Sequence, residues 1–525
     1  MTKALQKRSV CVLACVLIAL LCIKYFRSFF AFPGVPFGYD AGIYRYLFLN
    51  HAHALPPFTV APMPPWAASH PLGLFFFSTL LLRIGVPVDW LIGWVWNVFP
   101  MILSGVLAIL FARRNGTKVG LLMLLVSLLS TVQYQGFLMM YWKVFVALLW
   151  CVFAFDAFER KSKLWMIFGM LAIATHQQIG LIYVLSVLAS VVSRCKQRSL
   201  LVKNMGLCVA SLALGLLWYL PNFSSALGGL FPLLAASLSS LLTLCILFLA
   251  FTVLAVFTVF PKYGHAMLLV VCGLVGLLLF LLPLAGIAPG FLYHVDAIPG
   301  AFFTIPEYLE RSLPLLLLGM FGFFATFTRE KGSVWQWAVL FCALAVVSMF
   351  FFYRRFLLPL DFFLLPFSAF ALARMFLSRD LRLKIGGAIL IALQSWLLIG
   401  QLRSIDPHVD RAMLDSFASL RSVIEPKAAV VVLDLMAPWV AGYLPESDVS
   451  GPGIFDSQPL PAWEKFLYGS SDDRRAFIEH YPRGSYFYAT DVFRSYYPPE
   501  VQTLFSHACL QPTGALGLYR SVCGF

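Results

Sequence analysis

The chain has 525 residues, 61% of them apolar and only 12% charged, with a mean hydropathy of +0.85. Soluble domains run at roughly 45–50% apolar and about 25% charged, so soluble and disordered classes are excluded and a polytopic membrane protein is expected. The 38 basic and 24 acidic residues give a net charge of +14, which the collection of Lys and Arg in cytoplasmic loops explains without any nucleic-acid partner.

In chain order, Lys3, Lys7 and Arg8 precede the apolar run Val10–Ile23. No small-x-small cleavage site follows, so this segment reads as an uncleaved anchor and not a signal peptide; Lys24 and Arg27 near its far end run against the charge rule. Basic clusters recur at Arg113, Arg114 and Lys118, at Arg160, Lys161 and Lys163, at Arg194 and Lys203, at Lys262, at Arg329 and Lys331, and at Arg379 and Lys384. If each is cytoplasmic, two spans must fit between successive clusters. Apolar segments at 9–31, 89–112, 119–135, 142–158, 164–177, 179–193, 203–220, 237–260, 266–284, 312–328, 334–352, 356–377 and 385–402 allow this. The expectation is thirteen spans, with the N-terminus cytoplasmic and the C-terminus outside. The two between Lys163 and Arg194 are short for a crossing of about 20 residues, which suits helices lining a water-filled cavity.

Three stretches then fall outside: a first loop at 32–88 rich in Pro, His and aromatics, a smaller loop at 285–311, and a polar tail at 403–525. The expected division is a transmembrane module, 1–402, followed by an extracytoplasmic domain, 403–525. Within the tail, Ala428–Leu433 reads as a buried strand, Asp473–His480 as a helix, and Gly484–Thr490 and Ala515–Val522 as further strands, giving a small α/β domain. Cys509 and Cys523 are the two cysteines of this tail, and a disulfide between them is expected if it lies outside the cytosol. The other nine lie in or beside apolar stretches, where cysteine acts as a small hydrophobe. No C-x-x-C or H-E-x-x-H spacing occurs, and there is no internal repeat or low-complexity segment.

The first loop carries Phe37-Gly38-Tyr39-Asp40-Ala41-Gly42-Ile43-Tyr44-Arg45. Ile43, Tyr44, Leu47 and Phe48 share one helical stripe, as expected of a helix lying along a membrane surface, and Asp40 is a favoured N-cap for it. A second surface helix is expected to begin at Ser69-His70-Pro71, with Ser69 as cap and Pro71 in the first turn. Further along, Lys143 in Tyr141-Trp142-Lys143 opens the fourth span, where snorkelling alone would explain it. His176, in Thr175-His176-Gln177-Gln178, occupies the apex of the short pair, and polar groups at membrane depth suggest function. Arg354 and Arg355, in Tyr353-Arg354-Arg355-Phe356-Leu357-Leu358-Pro359, open a late span at its outer end; they anchor to headgroups or serve function. Arg45 and His70 are weaker candidates for the same cavity, and Asp296 in the 285–311 loop is a candidate second acid or a solvated loop residue.

This layout resembles the GT-C superfamily of integral-membrane glycosyltransferases, which includes oligosaccharyltransferases, protein O-mannosyltransferases and aminoarabinose transferases. Tyr39-Asp40 resembles the family's acidic position after the first span, and the Tyr353–Pro359 segment resembles its basic-aromatic opening of a late span. The resemblance implies a GT-C-like fold of about thirteen helices, a catalytic base at Asp40 and an arginine contact to lipid phosphate. Many members carry a paired D-x-D or E-D motif; Asp40 stands alone between Tyr39 and Ala41, which puts metal dependence in doubt: no cofactor is expected, with a divalent metal as the less favoured alternative.

The chemistry of the residues agrees. Sugar transfer from a polyprenyl phosphate needs a base near the acceptor hydroxyl and cations on the departing phosphate; Asp40 supplies the first, and Arg354 and Arg355 suit bidentate phosphate contact. The expected function is an inverting glycosyltransferase using a polyprenyl-phosphate-linked donor and a glycan, lipid or protein acceptor at the outer face of a bacterial inner membrane. A flippase or transporter would be expected to show internal repeats and polar residues near the bilayer midplane. A glycan polymerase or ligase would be expected to use a large central outer loop, and a scaffold would leave Asp40 and the arginine pair without a role.

Overall fold

The computed structural model describes residues 2–38, 40–68, 70–194, 198–222, 302–327, 332–347, 353–452 and 458–525. The predicted spans at 237–260 and 266–284, and Asp296, lie outside these residues. Helix α1 (Thr2–Ala31) runs into a loop and then α2 (Ala41–His51) and α3 (Gly73–Arg83). A π-helical turn at Leu91–Val95, opened at Gly93, leads into α4 (Trp96–Asn115). The helices α5 (Thr117–Leu129), α6 (Thr131–Leu138), α7 (Trp142–Glu159), α8 (Leu164–Thr175), α9 (Gln177–Arg194) and α10 (Arg198–Leu217) follow. After residue 301 come α11 (Ile305–Phe327), α12 (Val334–Val347), α13 (Leu357–Leu377) and α14 (Leu381–Arg403).

The protein is an integral membrane protein. Among the described residues six helical segments are long and apolar enough to cross a bilayer: Arg8–Ala31, Val88–Asn115, Gln177–Arg194, Ile305–Thr326, Tyr353–Leu377 and Leu381–Arg403. Helices α5 and α6 together make a further candidate, bent by 54°. Helices α7, α8, α10 and α12 overlap the expected segments 142–158, 164–177, 203–220 and 334–352, but the apolar parts of α8, α10 and α12 are short and α7 carries Lys143, Asp156 and Glu159. Segment Tyr353–Leu377 is 94% buried, whereas α1 and α14 are 22% buried, so α13 is the central post and α1 and α14 turn apolar faces outward. Close approach of α11 to α13 depends on Gly322, where a Cβ would fall 1.9 Å from the Phe367 carbonyl oxygen, the use of a small residue expected where helices pack without a hydrophobic drive from water.

The break between α5 and α6 is built from buried polar groups. Lys24 of α1 donates to the carbonyls of Ser127, Leu128 and Ser130 at 3.2, 2.8 and 2.8 Å, satisfying the C-terminal end of α5. The Ser130 hydroxyl accepts from the Gln133 backbone, capping α6, and donates to Asp361 of α13 at 2.8 Å. Gln133 donates to the same Asp361 oxygen at 2.9 Å. Gln394 of α14 donates to Leu129 and Arg311 carbonyls across the same region. These bonds tie α1, α6, α13 and α14 to one point.

After α15 (Arg411–Leu420) the chain forms β1 (Ala429–Val432), α16 (Ala437–Tyr443), β2 (Asp448–Ser450), α17 (Leu460–Tyr468), α18 (Ser471–Glu479), β3 (Tyr486–Tyr488), β4 (Leu510–Pro512) and β5 (Leu518–Ser521). The sheet order is β2-β1-β3-β5-β4, with β1 parallel to β2 and β3, and β5 antiparallel to β3 and β4. Strand side chains alternate between faces: Val430, Val432, Tyr486, Tyr488 and Leu518 join the core continuous with the helical region, while Val431, Leu433 and Phe487 join a second core with Trp463, Phe466 and Phe477. Cys509 and Cys523 form a disulfide in this second layer. The strands expected at Ala428–Leu433, Gly484–Thr490 and Ala515–Val522 correspond to β1, β3 and β5; β2 and β4, at three residues each, carry too little pattern to read.

Two expectations about the first loop need correction. Helix α2 does not lie with one face on lipid: Ala41, Gly42, Ile43, Tyr44, Tyr46, Leu47, Phe48 and His51 are all buried. It is sandwiched, because Gly42 lets α16 cross it backbone to backbone; a Cβ there would sit 2.3 Å from the Pro438 carbonyl oxygen, and one on Gly442 would sit 2.6 Å from that of Gly42. The second surface helix starts at Gly73 with Leu72 at its cap, past the Ser69-His70-Pro71 signal, Ser69 itself lying outside the described residues.

Candidate functional site

Asp40 stands at the head of α2. Its carbonyl accepts from the Tyr44 N–H at 2.9 Å, but its side chain makes no capping bond. The carboxylate instead faces cations: burial pushes its pKa above the ordinary carboxylate value, while the charges of Lys143 and Arg355 pull it back down. Gly38 fixes this position. With φ of +93° it occupies the left-handed region open to glycine, and a Cβ there would lie 2.6 Å from the Leu138 carbonyl oxygen. The loop bearing Asp40 is therefore seated directly on the end of α6.

Lys143, in the first turn of α7, is brought beside Asp40 through Tyr44, whose hydroxyl accepts a hydrogen bond from the Lys143 backbone. His176 is buried, with extended backbone (φ −157°, ψ 124°) between α8 and α9. Its Nδ1 accepts from the Ile179 N–H at 3.4 Å, and its ring lies within reach of the Lys143 and Arg355 charges. Arg354 and Arg355 sit in a 3₁₀ turn, Tyr353–Phe356, that heads α13. Arg354 donates to the Phe303 carbonyl at 3.2 Å, and Tyr141 lies within reach of Arg355, Asp40 and Arg354. Phe302 packs on Tyr141 with ring centroids 5.7 Å apart, so the segment ahead of α11 covers one side of the cluster.

The structure thus brings Asp40, Lys143, His176, Arg354 and Arg355 together from four separate parts of the chain. It does not bring Arg45. One residue beyond Tyr44, Arg45 is turned about 100° around the helix and faces α16: it pairs with Asp89 at 2.9 Å, donates to the Gly442 carbonyl and lies 4.5 Å over the Tyr443 ring. His70 is half-buried in the turn before α3; that helix abuts the Ala174–Thr175 backbone at Gly73, beside His176. In the sequence Tyr44 has a place on a helical stripe and Tyr141 a place beside Lys143 but neither has a site role, since a tyrosine among so many aromatics carries no such signal. Asp361 did carry one, as an acid inside an apolar span. Among the described residues no three His, Cys, Asp or Glu side chains gather as a metal site would require. Among the described residues the cluster holds one carboxylate, Asp40, facing the charges of Lys143 and Arg355, a set of cations suited to an anion.

No protein-family model matches the sequence, and no curated protein does. Among solved structures, the chain is similar to the Archaeoglobus fulgidus oligosaccharyltransferase, solved as a complex with Zn and sulfate, at 13% identity, over 97% of this chain and 73% of that one, with a TM-score of 0.54. At this identity the likeness is one of fold: the chain has an oligosaccharyltransferase-like architecture.

Proposed function

We propose that this protein is an inverting glycosyltransferase that moves a sugar from a polyprenyl-phosphate-linked donor to a glycan, lipid or protein acceptor at the outer face of the membrane. The observation that supports it is the pairing of a single uncapped carboxylate, Asp40, with Lys143 and Arg355 beside Arg354 and His176. In this reading the acceptor oxygen forms its new bond to the anomeric carbon, Asp40 takes the hydroxyl proton, and the bond from that carbon to the phosphate oxygen breaks. The electron pair leaves with the phosphate, whose growing charge the guanidinium and ammonium groups stabilise. In this reading no step is routed through a metal. Residues 1–402, with thirteen spans, form the catalytic module and 403–525 an extracytoplasmic domain. The N-terminus is cytoplasmic and the host membrane is a bacterial inner membrane. A flippase of lipid-linked glycans would share the phosphate cluster but would not need a base beside it; a glycan polymerase or ligase, chemically close, would use both.

The test is transfer from a synthetic polyprenyl-phosphate sugar by the purified chain. Asp40→Asn keeps the shape of the loop, and transfer is expected to fall roughly 10²–10⁴-fold with melting unchanged; an active Asn variant would overturn the assignment. Arg355→Ala is expected to weaken donor binding and slow transfer together. Chelator is expected to leave wild-type transfer intact. Sensitivity would point to a second acid, Asp296 first.

A further inference from the structure

A second cavity, of about 400 Å³, opens on the other side of the segments that hold the cluster. It falls within the range of roughly 300–1,000 Å³ seen for small-molecule sites. Phe37, three residues before Asp40, and Phe137, at the end of α6, contribute to its wall, so the same two stretches that seat Asp40 form a partition between the two places. Its depth is aromatic: Phe37, Trp96 and Phe137 are buried, and the Trp96 indole is fixed by its 3.1 Å bond to the Phe137 carbonyl. Its mouth is polar, formed by Asp89, Arg411 and Asp415, each about 60% exposed. Trp94, 40% exposed, extends the aromatic wall outward from the π-helical turn at Gly93, an irregularity common at functional sites.

These parts are held in place. Arg45 grips both Asp89 and Tyr443, which line the cavity from opposite elements. Arg411 pairs with Asp415 at 3.1 Å and lies over Gly34, whose missing side chain gives it room. The charges sort the two sites. Around Asp40 the cations Lys143 and Arg355 face one acid, which suits phosphate. At the mouth of the second cavity two carboxylates meet Arg411, with Arg45 already paired behind Asp89, so an anion gains nothing there. The exposed indoles of Trp90 and Trp94 beside a rim of carboxylate and guanidinium groups match a neutral pyranose, whose C–H face packs on a ring while its hydroxyls bond to the rim. An acyl chain would leave that charged rim unused.

We propose that this cavity binds a neutral sugar ring of the acceptor glycan, a subsite separate from the transfer centre; the word acceptor rests on the glycosyltransferase reading, the sugar binding does not. The test uses the full chain in phosphatidylcholine nanodiscs and saturation-transfer NMR with the methyl pyranosides of glucose, galactose, mannose and N-acetylglucosamine. At least one is expected to receive saturation. Trp94→Ala, at a partly exposed position, is expected to weaken that binding by about tenfold with melting unchanged, and Asp415→Asn to weaken it as well. Asp40→Asn is expected to bind the sugar as wild type does, so that loss of transfer and loss of the subsite are read separately. Absence of saturation for all four sugars, an unaltered signal in Trp94→Ala, or displacement of the sugar by dodecanol would overturn the proposal.

Discussion

At the residue scale, Asp40 is the position where environment decides function. The base of the proposed transfer must be ionised, and burial raises the folded-state pKa of this carboxyl above the value of about 3.9 for a solvated Asp. Transfer should therefore fall as pH drops through a midpoint above that value. Lys143 is one of the two charges that oppose the shift, so Lys143→Met should move the acid limb of the pH–rate profile to still higher pH. An unmoved limb would mean that Lys143 does not face the base. For stability the sign is opposite to that of a salt-bridged acid: ionising Asp40 costs the folded state, so Asp40→Asn should melt no lower than wild type at neutral pH. Gly38 supports the same group by shape. Gly38→Ala forces a clash with the Leu138 carbonyl, and displacement of the loop by about an ångström should cost on the order of 10²-fold in transfer. Asp40, Lys143, His176 and the arginine pair were legible because each interrupts an apolar run; Tyr44 and Tyr141, which interrupt nothing, were not.

At the scale of elements, the instructive case is the broken helix. Residues 119–135 read as one apolar span, and the structure bends it at Ser130. A signal existed: Ser130 followed three residues later by Gln133 is the opening of a capping box, and the Ser130 hydroxyl does cap α6. Here the Gln133 side chain turns to Asp361 instead, which a local pattern cannot foresee. Lys24 and Asp361, both under 4% exposed, are bridged through Ser130. Removing either leaves the other buried without its counter-charge, a loss of roughly 3–5 kcal/mol. Lys24→Met and Asp361→Leu should each lower the melting temperature strongly, and the double variant by clearly less than the sum; simple additivity would show that the two do not share one network. The Lys24 charge, which ran against the topology rule, was thus a readable sign of a buried partner.

At the scale of the whole molecule, the helical order and the C-terminal strands were largely legible, since both rest on periodicity. The placement of the sheet was not. Whether Val430 or Val431 faces the membrane region depends on Gly42 and Gly442 meeting, residues with no side chain to leave a pattern. Gly42→Leu should pry α16 off α2 and raise protease sensitivity near Tyr443 while leaving the second core, around Phe466 and Phe477, protected from hydrogen exchange. The disulfide closes a short loop within that second layer, with Cys509 and Cys523 separated by 14 residues. Replacing both with Ser should cost about 3 kcal/mol in the unfolding of the sheet layer and leave transfer by the folded protein intact.

The crossing of α2 by α16 also dictates when the molecule can work. Arg45 and Gly442, bonded in the finished protein, are 397 residues apart in the chain, so the helix that positions the base is delivered to the bilayer among the first parts made and covered among the last. Throughout synthesis its Gly42 face stands open, and a ribosome-bound chain lacking α16 should be cleaved by protease in the first loop while the same loop in the released protein resists. Assembly of the Asp40 loop is in this sense withheld until translation has passed Tyr443, so a half-built chain does not yet present the finished cluster.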